Sequence, residues 1–388
     1  MYLKGSKLII NRQPLSSLLT WFPALFYFAN LYRMTNHSAL PYLAMMAICG
    51  IAGVLCVLFG KIVRRDVIFI CFFVLFFTWL LNNLCVNNSD YSEIVTDFLY
   101  IGIMIMMMVF PMSYTQGIVT FYLSITTFII GYITGAATHT FLTSSGNYIS
   151  ILVILAASMY YITIQVSGHS LTIIDLLPSL LCFLISVWAK GRAGILCCLI
   201  LLLLIMLYYI RYYASKNSKR LLFIILIILM VSGYLIIQNV NLIDSFFALG
   251  KWAYRGVDTT SRNTIWGAYF DKLKENPFYI LIGAPLNNIP IIYALNNNIH
   301  NSFLQLHATN GILPFILCIV LFVKDVVYFV KNKKQLLAIV LLVVFIRGMT
   351  DKFIFGQYGM PIMMYLLLYP LFDSYISKQA ERRLGRLY

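Results

Sequence analysis

Charged side chains are scarce in this sequence, and that scarcity decides its class. Of the 388 residues, 11% are charged and 61% are hydrophobic, whereas a soluble globular protein has about 25% charged residues. A soluble globular domain is therefore excluded. We predict an all-α polytopic membrane protein whose residues 1–388 form a single integral membrane domain.

Acidic residues are the rarer of the two charge types, and the net charge is +15. Without a soluble domain, this excess does not indicate nucleic acid as a partner. Basic cytoplasmic loops that hold the topology and touch anionic lipid account for it.

Motifs for metals and cofactors are also missing. The eight cysteines lie in or at the ends of apolar runs, with no zinc or iron–sulfur spacing. No HExxH, GxSxG, P-loop or GxGxxG motif occurs in its required context. We predict no metal and no cofactor, so that any chemistry depends on cationic side chains and histidine.

Apolar runs long enough to cross a bilayer are abundant. We predict about twelve transmembrane helices, at 15–33, 39–60, 67–86, 94–112, 118–137, 148–166, 171–189, 194–212, 221–240, 302–323, 335–350 and 359–376. With the N-terminus inside, the inner segments hold about eighteen Lys and Arg and the outer segments about ten. Both termini are therefore predicted to be cytoplasmic.

One long outer loop, 241–301, separates the predicted spans nine and ten. The stretch "TTSRNTIWGAYFDKLKEN" within it has a helical pattern, with an apolar stripe that includes Ile265, Trp266 and Tyr269. We predict a helix lying on the membrane surface there. A loop of this length is usually functional.

Cations collect on the outer side. Lys190 and Arg192 begin span eight, where they either reach lipid headgroups or form an anion site with the helix N-terminus. Gly191 and Gly194 would let a headgroup approach the backbone. Arg262, with Arg255 nearby in the loop, is either a solvated cation or a second anion contact.

The stretch "NNNIHNSFLQLHATNGILPF" carries two histidines into span ten. In one continuous helix, His300 and His307 would share a face, about 10 Å apart along the axis. His307 is predicted to be buried and structural. His300 lies at the membrane surface, where a neutral imidazole can accept a proton. Asn301 belongs to a neighbouring polar stripe, and the asparagines there form a cap between loop and helix.

A third arginine, Arg347, ends span eleven. It either pairs with Asp351 at i,i+4 or contacts an anionic donor. Asp97 and Asp175 lie within or near spans and have no partner that the sequence identifies.

Together these elements resemble the O-antigen polymerase and O-antigen ligase superfamily of bacterial membrane glycosyltransferases. The resemblance rests on an outer arginine after "KG", on "SRNTIW…NPF…GAP" in the long loop, and on "HNSFLQLHATNG" at its end. Two departures are Gly191, where the family often has Ser, and a reduced glycine-rich step in "LIGAP".

The resemblance implies a GT-C-like fold in the bacterial inner membrane and a metal-independent, inverting transfer at the periplasmic face. The donor would be an oligosaccharide on undecaprenyl diphosphate. Arg192 and Arg262 would hold the diphosphate, and His300 would be the base. Arg347, Asn301, Lys190 and Arg255 are further candidate contacts. Membrane lipid, a chain-length regulator and a flippase are the implied partners.

Three alternatives to a polymerase differ from it in class or in acceptor. A polymerase transfers the chain to another lipid-linked repeat unit, and a ligase transfers it to lipid A–core. The chain's richness in Ile, Asn, Lys, Tyr and Phe favours a polymerase. A flippase for lipid-linked oligosaccharide should show two related halves with charges on several spans, whereas here the charges collect at one mouth. A non-catalytic scaffold is the third alternative.

Overall fold

The protein is described by a computed structural model that covers residues 17–36, 39–59, 65–86, 91–134, 147–189, 191–215, 220, 227 and 260–384. Within these ranges it contains helices and no strand. The first eight helices are α1 (Phe22–Asn36), α2 (Leu40–Phe59), α3 (Arg65–Val86), α4 (Tyr91–Val109), α5 (Tyr114–Ile133), α6 (Asn147–Ser167), α7 (Leu177–Trp188) and α8 (Arg192–Tyr212). A 3-10 turn at Ile173–Leu176 leads into α7.

The described chain resumes at Thr260. It then forms α9 (Thr260–Glu275), α10 (Phe278–Ile282), α11 (Pro290–Tyr293), α12 (Ser302–Asn310), α13 (Ile312–Lys331), α14 (Gln335–Gly348) and α15 (Met360–Leu384). Apart from Ile227, the predicted ninth span lies outside the described residues, as does the long loop before Thr260.

Several helices have the length and composition of membrane spans. Five qualify on both counts, in α2, α3, α6, α8 and α13, and the apolar parts of α4, α7, α14 and α15 are shorter. Apolar helices of this kind are expected in a bilayer because each satisfies its own backbone hydrogen bonds. This supports an all-α membrane protein.

Helix α6 forms the centre of the bundle. Its side chains from Ile149 to Ile164 are buried on every face, as expected for a helix that is apolar all round. It packs against α5, α7, α8, α14 and α15. Near the edge, α2 and α4 approach so closely that a Cβ at Gly53 would lie 2.4 Å from the Cα of Gly102. Small residues at such a contact bring membrane helices together.

Two predictions, one about span ten and one about the helix in the long loop, are wrong. Span ten is not one helix, because Gly311 has a φ of 78° and separates α12 from α13. Helix α9 exists where it was predicted, but Ile265 and Tyr269 of its apolar stripe do not face lipid. They are buried in a small core with residues of the segment 284–308, including Ile292 and Ala308.

Candidate functional site

A cluster of charged side chains forms where α8, α9, α12 and the segment after α14 come together. It contains Arg192 at the first turn of α8, Arg262 at the first turn of α9, Arg347 at the last turn of α14, and His300 and Asp351. We call these five residues the mouth cluster. They come from four separate parts of the chain, so only the fold brings them together.

Asp351 connects the mouth cluster. Its Oδ1 lies 3.5 Å from Nδ1 of His300, and its Oδ2 lies 3.5 Å from Nη2 of Arg347. The backbone N–H of Lys352 also donates to Oδ1, at 2.9 Å. Burial acts to raise the pKa of Asp351, but the His300 hydrogen bond and the Arg347 charge outweigh it, and the pKa lies below its usual value. The carboxylate is therefore ionised at neutral pH.

Arg347 is completely buried behind Asp351. Its Nη1 donates to Oγ1 of Thr350 at 2.7 Å, and its Nη2 donates to the carbonyl of Asn147 at 3.2 Å. The guanidinium thus joins the end of α14 to the start of α6. Of the two predicted roles, the pair with Asp351 is present, whereas a side chain with no exposed surface does not reach a ligand at the mouth.

His300 has an unusual backbone. Its φ is 55°, a left-handed conformation that costs a residue other than glycine about 1–2 kcal/mol. The N–H of His300 donates to Oδ1 of Asn298 at 2.8 Å, which supports that conformation. The side chain is 33% exposed. In the described part of the chain, its Nε2 has no partner. His300 stands before α12 and not on the helix face that the sequence predicted.

Ser302 fixes His300 against the segment that carries Asp351. Its hydroxyl donates to the carbonyl of Asp351 at 2.7 Å and accepts the N–H groups of Phe353 and Ile354. Ser302 is fully buried, so these bonds are shielded from water. No sequence pattern singles out this residue, because a serine at a helix start is common.

Arg262 and Arg192 are the two partly buried arginines of the mouth cluster. Burial lowers the pKa of Arg262, the charge of Asp351 opposes this shift, and the charges of Arg347 and Arg192 add to it. The three guanidiniums therefore act on one another, with one carboxylate among them. Two other predicted contacts, Lys190 and Arg255, lie outside the described residues.

The glycines beside Arg192 have a different role from the predicted one. A Cβ at Gly191 would lie 2.8 Å from Oδ1 of Asn147, and a Cβ at Gly194 would lie 2.1 Å from Oγ of Ser150. The glycines let α8 approach the start of α6, and the space that they leave is filled by protein and not by a headgroup. Their effect on the site is to bring Arg192 close to the helix that Arg347 also contacts.

Asn301 is used as a helix cap. Its Oδ1 accepts the N–H groups of Phe303 at 2.9 Å and Leu304 at 3.1 Å, which are donors without a partner inside α12. The predicted cap between loop and helix is therefore present. Because the cap uses the amide oxygen of Asn301, that oxygen is not available for the candidate ligand contact.

His307 is buried and holds three elements together. Its Nδ1 lies 2.5 Å from the Tyr269 hydroxyl, and its Nε2 lies 2.9 Å from the carbonyl of Ile280. A tautomer with the proton on Nε2 satisfies both contacts, since the hydroxyl then donates to Nδ1. This is the structural role that the sequence predicted.

Asp97 and Asp175, for which the sequence identifies no partner, both accept hydrogen bonds inside the protein. Asp97 accepts the N–H of Gly356 at 2.9 Å, which braces the segment that follows Asp351. Asp175 accepts from the Thr172 N–H at 2.6 Å and from the Tyr114 hydroxyl at 3.1 Å, and it caps the turn before α7. Both contacts are structural and lie outside the mouth cluster.

Comparison with known proteins does not identify the chain. No protein-family model matches it, and no curated protein matches it.

Proposed function

We propose that this chain is a membrane glycosyltransferase of the O-antigen polymerase kind. It would transfer an oligosaccharide from undecaprenyl diphosphate to a sugar hydroxyl of another lipid-linked repeat unit, with inversion and without a metal. The observation that carries the proposal is the mouth cluster, in which a partly exposed histidine paired with a buried carboxylate lies among three arginines.

The arginines suit a diphosphate. Each guanidinium offers a fork of donors that matches phosphate oxygens, and it stays charged when partly buried. Arg192 and Arg262 have exposed surface for such a contact, and Arg347 adds charge from behind. Burial, and after it the charges of Arg347 and Arg192, lower the pKa of Arg262, and a bound anion would favour its charged form. Charge grows on the diphosphate as its bond to the sugar breaks, so these cations stabilise the transition state more than the ground state.

His300 would act as the general base. With Nδ1–H directed to Asp351, the lone pair of Nε2 is available on the exposed side of the ring. The acceptor hydroxyl gives its proton to Nε2 while its oxygen bonds to the anomeric carbon. The bond from that carbon to the diphosphate breaks, and the diphosphate leaves with the electron pair. Asp351 orients the ring and stabilises the imidazolium that forms, but it does not touch the substrate.

The setting follows from the same proposal. The mouth cluster would face the periplasm from the bacterial inner membrane, with both termini cytoplasmic and the loop 241–301 outside. About twelve spans in a GT-C-like arrangement would surround the lipid-linked donor and acceptor. A flippase that supplies the repeat unit and a chain-length regulator are the expected partners, with no part for nucleic acid.

The proposal is tested in a host that lacks this protein. The wild type should restore a ladder of long surface polysaccharide, while His300→Ala, Arg192→Ala and Arg262→Ala should leave the single-repeat product. Arg211→Ala is the matched control for Arg192, because Arg211 is exposed at the opposite end of the same helix.

The pattern in the deficient host also separates the alternatives. A full ladder from every variant would contradict the proposed site. A deficient host with no surface sugar at all, instead of a single-repeat product, would contradict a polymerase and favour a ligase or a flippase.

A further inference from the structure

Helix α10 exposes large apolar side chains outside the apolar helices that qualify as spans. Phe278 is 47% exposed and Leu281 is 59% exposed. Residues 276 to 323 contain no Lys, Arg, Asp or Glu. Helix α10 therefore presents an apolar surface without charge, and contact of such a surface with water is unfavourable.

Two contacts fix where α10 lies relative to the candidate membrane spans. Nδ2 of Asn82, near the end of α3, donates to the carbonyl of Ile282 at 2.6 Å. At the start of α13, a Cβ on Gly311 would lie 2.3 Å from the carbonyl oxygen of Leu281. Helix α10 is thus packed against the ends of two helices that are long and apolar enough to cross a membrane.

The ends of these two helices also expose apolar residues. Leu84 of α3 is 73% exposed and Leu313 of α13 is 50% exposed. An apolar surface that spreads over these adjacent parts of α3, α10 and α13 matches the edge of a bilayer, where apolar side chains enter the boundary between headgroups and acyl chains.

Helix α9 behaves in the opposite way where it ends. Asp271 and Lys274 form an ion pair with side chains that are 72% and 77% exposed, which indicates a surface in water. The polar end of α9 and the apolar α10 are separated only by residues 276 and 277. The water boundary therefore lies between them.

We infer that α10 is a membrane-surface anchor whose partner is phospholipid, with Phe278 and Leu281 inserted at the boundary between headgroups and acyl chains. This moves the lipid contact from α9, where the sequence pattern placed it, to the next helix. Ile280 of α10 supplies the carbonyl that His307 of α12 contacts. The anchor therefore also sets the depth of α12 relative to the membrane surface. It does not depend on the proposed transfer activity.

Spin labels on the full-length protein in lipid nanodiscs test the inference. Phe278→Cys, Leu281→Cys and the control Asp271→Cys are each made in a Cys85→Ser background, because Cys85 is the exposed one among the eight cysteines. Accessibility to oxygen, which concentrates in lipid, is compared with accessibility to a water-soluble nickel chelate.

Labels at 278 and 281 should show an oxygen-to-nickel ratio several-fold higher than the label at 271. Equal ratios at the three sites would overturn the inference, because α10 would then stand in water. Protection of 278 and 281 from both reagents would overturn it as well, because protein and not lipid would then cover them. Both sites are exposed, so neither substitution removes a packed core side chain.

Discussion

His300 and His307 lie in one short segment, yet they differ in what their ring nitrogens do. Both nitrogens of His307 contact groups of the protein, and the residue is 5% exposed. His300 uses Nδ1 toward Asp351 and presents the rest of its ring at the surface. A histidine with two internal partners holds elements together, whereas His300, with one partner among the described residues, keeps a ring nitrogen available, as the proposed base requires.

The largest expected effect comes from replacing each of the two histidines separately by alanine. His300→Ala should lower the transfer rate by about 10²–10⁴-fold, because a general base contributes that much, with the amount of folded protein unchanged. His307→Ala should instead reduce folded protein in the membrane and leave the activity per folded molecule within a few-fold. Immunoblots beside polysaccharide gels give both quantities. Loss of activity per molecule in both variants would remove the distinction.

Arg262 provides a test of the proposed donor site. Arg262→Ala should lower the rate by about 10²–10³-fold, as the loss of one preorganised donor does. Arg262→Lys keeps a charge but lacks the fork, and should recover part of that loss. Rates are measured with purified protein and a lipid-linked oligosaccharide. The matched control is Lys274→Ala, which removes an exposed cation from the other end of α9. Equal activity of Arg262→Ala and the control would show that Arg262 does not contact the donor.

Asp351 predicts a dependence of stability on pH. Its folded-state pKa is lowered, so its contribution is fully present above the ordinary value of 3.8 and is lost as the pH falls through the folded pKa. The unfolding temperature of the wild type should therefore fall as the pH drops from about 5 toward 3. Asp351→Asn should start lower, because it leaves Arg347 buried without its charge partner, and should fall less steeply. The exposed Asp271→Asn is the control, and parallel curves for wild type and Asp351→Asn would contradict the pairing.

The smallest effect is expected at Asn301. Asn301→Ala should cost about 1 kcal/mol of stability, because α12 loses its cap, and Asn301→Asp should restore most of it. Thermal unfolding measures both variants. If Asn301→Asp matches the wild type in stability but loses transfer, Asn301 contacts a ligand as well.

Much of the helical fold could be predicted, because apolar runs between polar segments indicate helices without any knowledge of packing. The broken span could not. Gly311 lies inside the predicted span 302–323, but it has a positive φ, and a Cβ there would collide with the carbonyl of Leu281, a contact that only the fold creates. The surface helix was misplaced for a similar reason. Its apolar stripe was visible, but the partner that buries it comes from residues 284–308.

The mouth cluster was predictable as residue types and not as geometry. Arg192 is identified by its place at the outer start of span eight, and Arg262 and His300 by their places within the long loop and at its end. The i,i+4 spacing of Arg347 and Asp351 indicated their pair, but nothing in the sequence indicated that Asp351 also meets His300. Ser302, whose hydrogen bonds hold the segment of Asp351 next to His300, belongs to no recognisable motif. Contacts between residues about fifty positions apart depend on the tertiary fold.

The central claim is that the mouth cluster breaks the bond between sugar and diphosphate. The most direct measurement incubates the purified protein in nanodiscs with undecaprenyl-diphosphate-linked oligosaccharide, with the sugar and the diphosphate carrying different labels and a chelator present. Under the proposed function, the sugar label appears on a second lipid-linked chain while undecaprenyl diphosphate is released in equal amount, and His300→Ala abolishes both. Labels that stay joined in the wild type would contradict it.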